Sequence, residues 1–143
     1  MELLVDGKGK ILGRIATKVA KELLNGNSVY VVNAEEILIS GHKRSIAEKY
    51  KKRIEFKDKA NPEHSPYWSR KPELLVKRAI RGMLPRKKAK GREAFKRLRV
   101  YAKYPQDIKA KELKEIEGIK GGDSVPERLI KIKDLSSLLG YKV

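Results

Sequence analysis

An α/β fold built on a parallel sheet is predicted by three features close to the start of the chain. A short apolar run, an amphipathic helical pattern and a β-branched, almost wholly apolar run follow one another directly. The first run is Leu3-Leu4-Val5, closed by the turn Asp6-Gly7-Lys8-Gly9. Leu12, Ile15, Ala16, Val19, Ala20, Leu23 and Leu24 then recur at the period of a helix with one buried side. Gly26, after Asn25, suits a left-handed C-terminal cap. Residues 28–33, Ser-Val-Tyr-Val-Val-Asn, read as a strand covered on both faces, the pattern of a parallel sheet rather than of a half-solvated one. Strand, helix and strand in this order make a β-α-β unit.

Residues 36–40 contain Ile37, Leu38 and Ile39 and stop at Gly41. They read either as another short strand or as a turn into the helix suggested by residues 45–52. Residues 57–72 hold Pro62, Pro66 and Pro72 and the only Trp, which predicts a long loop with a task of its own. Pro72 suits the first turn of a helix reaching about residue 84. Leu75, Val76, Ala79, Ile80 and Met83 fall on one side of it, and Lys77, Arg78 and Arg81 on the other. Pro85 ends that helix. Residues 86–92 read as a basic connector, 93–98 as a short helical turn and 99–102 as a strand. Residues 109–117 alternate charged and single apolar side chains, Gly121-Gly122-Asp123 breaks the pattern, and residues 129–133 look like a half-exposed strand or extended segment. Residues 134–140 read as a small helix capped by Asp134 and Gly140. There is no internal repeat, and a single domain over residues 1–143 is expected at this length.

Charge is distributed very unevenly. Of a net +17, residues 42–103 account for +16, with 22 Lys/Arg against 6 Asp/Glu. Residues 1–41 carry 5 basic and 5 acidic side chains, and residues 104–143 carry 8 and 7. Solubility is served by dispersed cations, whereas concentrated ones repel each other and are rational when a dense polyanion brings the countercharge. Nucleic acid is the obvious candidate for that polyanion.

Other chemistries find little in the sequence. There is no cysteine, so disulfides and Cys-ligated zinc are excluded, and His42 and His64 stand too far apart to suggest a metal cage. No apolar stretch nears the ~20 residues that span a bilayer. The start of the chain lacks the basic and apolar regions of a secretion signal, so a cytosolic protein is expected. A peripheral membrane binder would need a basic amphipathic helix with exposed apolar side chains, and the apolar faces here read as core. Gly7-Lys-Gly9-Lys-Ile-Leu-Gly13 with Glu35 beyond the next strand imitates a dinucleotide fingerprint, but its spacing is G-x-G-x-x-x-G, and glycines there also serve a tight turn. Phosphate-binding, zinc-protease and nucleophile-elbow motifs are missing, and Glu35-Glu36 has no His nearby to work with.

Residues 81–92 concentrate six cations: Arg81, Arg86, Lys87, Lys88, Lys90 and Arg92. Arginines grip phosphate oxygens in pairs and lysines act as point charges, which positions a protein on RNA without reading its sequence. A merely solvated loop or a localisation signal would have the same composition. Lys77, Arg78 and Arg81 on the preceding helix enlarge the patch, and Arg44, Arg70 and Lys71 extend it. Tyr67 and Trp68, beside Arg70 and Lys71, are suited either to stacking on an unpaired base or, for Trp68, to packing over the sheet edge.

Several blocks then occur in a fixed order: Leu12-Gly-Arg-Ile-Ala-Thr17, Val31-Val-Asn-Ala-Glu35, Ile39-Ser-Gly41, Arg78-Ala-Ile-Arg-Gly-Met-Leu-Pro85, Gly91-Arg92 and Leu98-Arg-Val-Tyr101. Together, over roughly residues 3–105, they resemble the ribosomal protein L13 family of the large subunit. The continuation Lys87-Lys-Ala-Lys-Gly-Arg-Glu-Ala-Phe-Lys-Arg-Leu98 is similar to the archaeal and eukaryotic branch. The resemblance implies a three-layer α/β/α fold around a short, mainly parallel four-stranded sheet with long basic loops. It also implies a structural constituent of the large ribosomal subunit, in the cytoplasm, that clamps rRNA during assembly beside neighbouring ribosomal proteins. Neither catalysis, cofactor, metal, membrane nor small-molecule substrate is implied.

Overall fold

A computed structural model describes residues 1–119, 121 and 128–141. The predicted β-α-β unit is β1 (Glu2–Asp6), α1 (Leu12–Leu24) and β2 (Ser28–Val32), with β1 and β2 parallel and Leu3 opposite Val29. The chain continues through β3 (Leu38–Ser40), α2 (Lys43–Glu55), α3 (Pro72–Gly82), α4 (Ala89–Lys96), β4 (Leu98–Val100), α5 (Gln106–Lys109), β5 (Lys114–Glu115), β6 (Leu129–Lys131) and α6 (Ile132–Leu138). The main sheet has the order β4-β2-β1-β5 and every neighbouring pair is parallel.

Period-two alternation splits this sheet into two apolar faces. Leu3, Val5, Val29, Val31 and Leu98 join the cluster formed with α1, α3 and α4. Leu4 and Val32 meet Ile108 of α5 on the other side, with Tyr30, Tyr101 and Tyr104 around them. The result is helix, sheet and helix in three layers. In α1, Ile15, Ala16, Val19 and Leu23 are wholly buried, and each large aliphatic side chain among them contributes about 1.5–3 kcal/mol. The helix stops at Asn25 because Gly26, at φ 95°, lets its own N–H and that of Asn27 reach back to the carbonyls of Leu23 and Glu22.

The turn after β1 is tied to the end of β2. Asp6 Oδ1 accepts the Lys8 N–H at 3.0 Å and the Asn33 side-chain amide at 2.9 Å. A Cβ on Gly7 would lie 2.5 Å from Ile37 Cγ1, so the first glycine of the imitation fingerprint makes room for a core side chain.

Elsewhere the structure departs from the sequence reading. Residues 36–40 realise both alternatives: β3 pairs antiparallel with β6 in a second small sheet, and α2 follows at once. That helix outruns residues 45–52 at both ends, held by the sparse stripe Ile46, Tyr50 and Ile54 that its many lysines and arginines obscure. Residues 109–117 contribute the fourth strand, since β5 borrows its order from β1 although its own side chains are exposed. Met83 is 46% exposed rather than core, because α3 ends at Gly82 and Leu84 takes the buried place. α6 begins at Ile132 with no side-chain cap, so Asp134 does not cap it; the buried pair Ile132 and Leu135 sets the start instead. Gly140, at φ 96°, does close its far end. Gly121 bridges to Lys10, while Gly122 and Asp123 lie outside the described residues.

The expected connector at 86–92 is shorter than anticipated: α4 starts at Ala89, so Lys90 and Arg92 stand on a helix. The strand after it is Leu98–Val100, with Leu98 drawn fully into the core; just beyond it Tyr101 donates to the Val31 carbonyl at 2.8 Å and its own carbonyl accepts the Ala34 N–H at 3.1 Å. Gly91 is the reason α4 can begin so early. A Cβ there would stand 2.1 Å from the Pro85 carbonyl oxygen, and the same oxygen accepts the Lys88 N–H at 3.0 Å. We expect Gly91→Ala to cost about 1–3 kcal/mol by forcing the turn off the helix. Gly82→Ala, where a Cβ meets nothing within 4 Å, should gain about 0.4–1 kcal/mol. Thermal melts of the two variants should therefore shift in opposite directions; equal shifts would contradict the Gly91 packing.

Candidate nucleic-acid interface

The basic segment is laid over α2, the loop before α3, α3 itself, the turn at Pro85 and α4. Apart from the loop, each of these elements has an apolar underside, and its cations are what remains outside. Ile46 anchors α2, Leu75, Val76 and Ile80 anchor α3, Leu84 anchors the turn, and Ala94 anchors α4.

Trp68 organises the loop. It is half-buried, with the Arg78 guanidinium carbon 3.5 Å and the Arg53 guanidinium carbon 4.7 Å from the ring centroid. Tyr50 meets it edge-on, the centroids 6.4 Å apart at 89°. An indole attracts a guanidinium through its quadrupole by about 0.5–2 kcal/mol and carries no charge itself, so one ring can hold two cations that repel each other. Arg78 also donates from Nη1 to the Tyr67 carbonyl at 2.8 Å. This fastens the loop backbone to α3 and leaves the Tyr67 ring outside, 86% exposed. Burial, then the charges of Arg81, Arg53 and Arg86, hold Arg78 below the ordinary value for a guanidinium. Arg53, Arg81 and Arg86 thus share one neighbourhood with Arg78 at its centre.

Lys77 lies 5.2 Å from the centroid of Phe95 on α4. Lys77, Arg78 and Arg81 rim an open hollow of about 320 Å³ whose walls include Tyr67, Trp68, Leu74 and Phe95. Arg70 and Lys71 border the adjoining depression with Pro66 and Tyr141. Arg86, Lys87, Lys88, Lys90 and Arg92 are all exposed around the Pro85 turn and the start of α4. The first turn of α4 has no acidic residue and no side-chain cap, so its free N–H groups add to the positive potential there. Arg44 stands apart from this group. It is about 14 Å along α2 from Arg53, at 1.5 Å per residue, and its Nε pairs with Glu48 at 3.2 Å.

That pair matters for the balance of charge. The described residues make two ion pairs, Lys10–Glu115 and Arg44–Glu48, and only the second lies in the basic segment. Two further cations of the segment serve the fold: Arg97 donates to the Leu23 carbonyl at 2.7 Å, and Arg99 to the carbonyls of Lys96 and Leu98. Arg53 and Phe95 are the site residues that the sequence reading missed. The available signal for Arg53 was Tyr50, one turn earlier on the same helix face; Phe95 carried none.

Among the described residues no three His, Asp or Glu side chains gather as a metal site, and no described helix is long and apolar enough to cross a membrane. A parallel α/β frame carrying one strongly cationic segment defines a basic α/β protein. The family described as Ribosomal protein L13 matches residues 1–107, and the chain belongs to that family. A protein named large ribosomal subunit protein uL13 from Archaeoglobus fulgidus is 39% identical over 140 residues, covering 97% of this chain and 88% of its own. The protein of the same name from Methanosphaera stadtmanae is 38% identical over 146 residues, covering 99% of each chain. That from Methanocaldococcus jannaschii is 45% identical over 106 residues, 73% of this chain and 77% of its own. The family is a structural component of the ribosome and not an enzyme.

With a net charge of +17 and only two ion pairs among the described residues, the isolated protein should be stabilised by salt. Its Tm should rise by several degrees as potassium chloride increases from about 0.01 M to about 0.5 M, over which screening shortens from about 30 Å to a few ångströms. A Tm that falls over this range would mean that attraction, not repulsion, dominates the basic face.

Proposed function

We propose that residues 1–143 work as one domain, a structural constituent of the large ribosomal subunit in the cytoplasm, which binds rRNA through its 42–103 segment. It clamps phosphates of two RNA strands during assembly and meets neighbouring proteins of the subunit through its remaining surface. The observation that carries this reading is the set of cations with no acidic partner among the described residues, 22 Lys/Arg against 6 Asp/Glu and one ion pair. The names of the relatives supply the ribosomal setting.

The cations divide by what they are free to do. Arg86 and Arg92 are exposed and offer their full donor sets to phosphate, while Lys71, Lys87, Lys88 and Lys90 bring mobile point charges. Arg81 and Lys77, at the hollow, are partly covered. Arg78 is already engaged by Trp68 and the Tyr67 carbonyl, so it adds potential and holds the loop more than it grips an oxygen. Arg44 and Arg70 lie at the margins. A rigid parallel sheet beneath keeps these groups at fixed separations, which favours a folded RNA over a flexible strand.

Neutralising about 6–8 phosphates gives a slope of log affinity against log salt of roughly −4 to −7. Filter binding of large-subunit rRNA over a range of potassium chloride measures it, and a slope near zero would remove the clamp. Changing Arg86, Lys87 and Lys88 together to Ala should make the slope shallower by about 2–3 with Tm unchanged or raised. An unaltered slope in that variant would move the contact surface elsewhere.

A further inference from the structure

Taking the rRNA reading as its premise, we infer that the hollow between the Tyr67–Trp68 loop and helices α3 and α4 receives the base of one unpaired nucleotide. The hollow is anomalous in its setting. Lys77, Arg78 and Arg81 border it, yet its lining is largely apolar, with Leu74 40% exposed and the Phe95 ring alongside. Phosphate has no use for such a surface. A nucleobase does, because its faces are apolar and its backbone carries the charge that Lys77 and Arg81 await at the rim. At about 320 Å³ the hollow is at the small end of ligand sites, which run from about 300 to 1,000 Å³. A paired base is confined within its helix, so only a nucleotide turned out of the stack can enter.

Tyr67 gives the second line of support. A ring 86% exposed gains almost nothing from burial in the free protein. Its backbone is nonetheless fastened by the 2.8 Å bond from Arg78, and the next residue is held by two guanidiniums. A clamped loop that presents an uncovered aromatic ring at the mouth of an apolar hollow is preorganised for stacking. Trp68 acts here as a positioning residue, its ring held by Arg53 and Arg78; Tyr67 is the surface left for the base, and Phe95, with Lys77 over its ring, forms part of the wall.

The test compares the full-length protein on an RNA duplex and on the same duplex carrying one bulged nucleotide. Wild type should bind the bulged RNA about fivefold or more tightly, the range of a single base–aromatic stack. Tyr67→Ala should abolish that preference while keeping duplex affinity, salt slope and Tm; Tyr67→Phe should retain it. Emission of Trp68, the sole Trp, should change with the bulged RNA and not with the duplex. Equal affinities for the two RNAs with a steep salt slope would overturn the nucleotide subsite and leave phosphate clamping intact, as expected if a segment of a neighbouring protein fills the hollow. A preference that survives Tyr67→Ala would also overturn it. Binding of neither RNA would overturn both readings.

Discussion

Like charges crowded on one side of a small protein repel, and in this chain that repulsion has to be borne by packing beneath the charges. Among the described residues, the 42–103 segment makes one ion pair against a net +16. What holds them is a row of buried aliphatic residues, Ile46, Leu75, Val76, Ile80, Leu84 and Leu98, each on the underside of an element whose outer side is cationic. Trp68 performs the same service where no aliphatic residue reaches, by holding Arg53 and Arg78 through an uncharged ring. Carboxylates in those places would have stabilised the free protein and cancelled the field that an RNA partner feels. The uncompensated charge thus makes functional sense only together with the apolar anchoring that tolerates it.

The frame supplying that anchorage is the parallel sheet. β1 and β2 lie at its centre, covered on both faces, and α1 passes its buried stripe to α3 and α4. The cationic helices α3 and α4 therefore rest on the buried centre of the molecule rather than on long arms. The Pro85 turn shows how closely this is arranged. Gly91 allows α4 to start directly over the Pro85 carbonyl, and the five cations from Arg86 to Arg92 are gathered on that short corner.

Much of this was legible from residue order. Strand β1, helix α1 and strand β2 announced themselves because each carries a dense, regular apolar pattern, and the clustering of cations needed only counting. The resemblance to the L13 family supplied a four-stranded sheet that periodicity alone did not reveal. β5 escaped notice because two exposed residues, Lys114 and Glu115, gain their strand conformation from backbone pairing with β1. α2 was underestimated because one buried side chain, Ile46, and two half-buried ones, Tyr50 and Ile54, hold thirteen residues of mostly charged sequence. The local pairing of Arg53 with Tyr50 was open to reading, but its role at Trp68 depends on a tertiary meeting of α2 with a loop fifteen residues further on.

The central claim is that the cationic side of this protein, and not its neutral frame, faces RNA in the large subunit. Lysine acylation read by mass spectrometry, on the free protein and on intact large subunits containing it, tests this most directly. The exposed amines of Lys71, Lys87, Lys88 and Lys90 should react in the free protein and be protected in the subunit, whereas the exposed Lys18, Lys21 and Lys133 outside the segment should lose far less reactivity. Full reactivity of the first group in the subunit, with protection confined to the second, would contradict it.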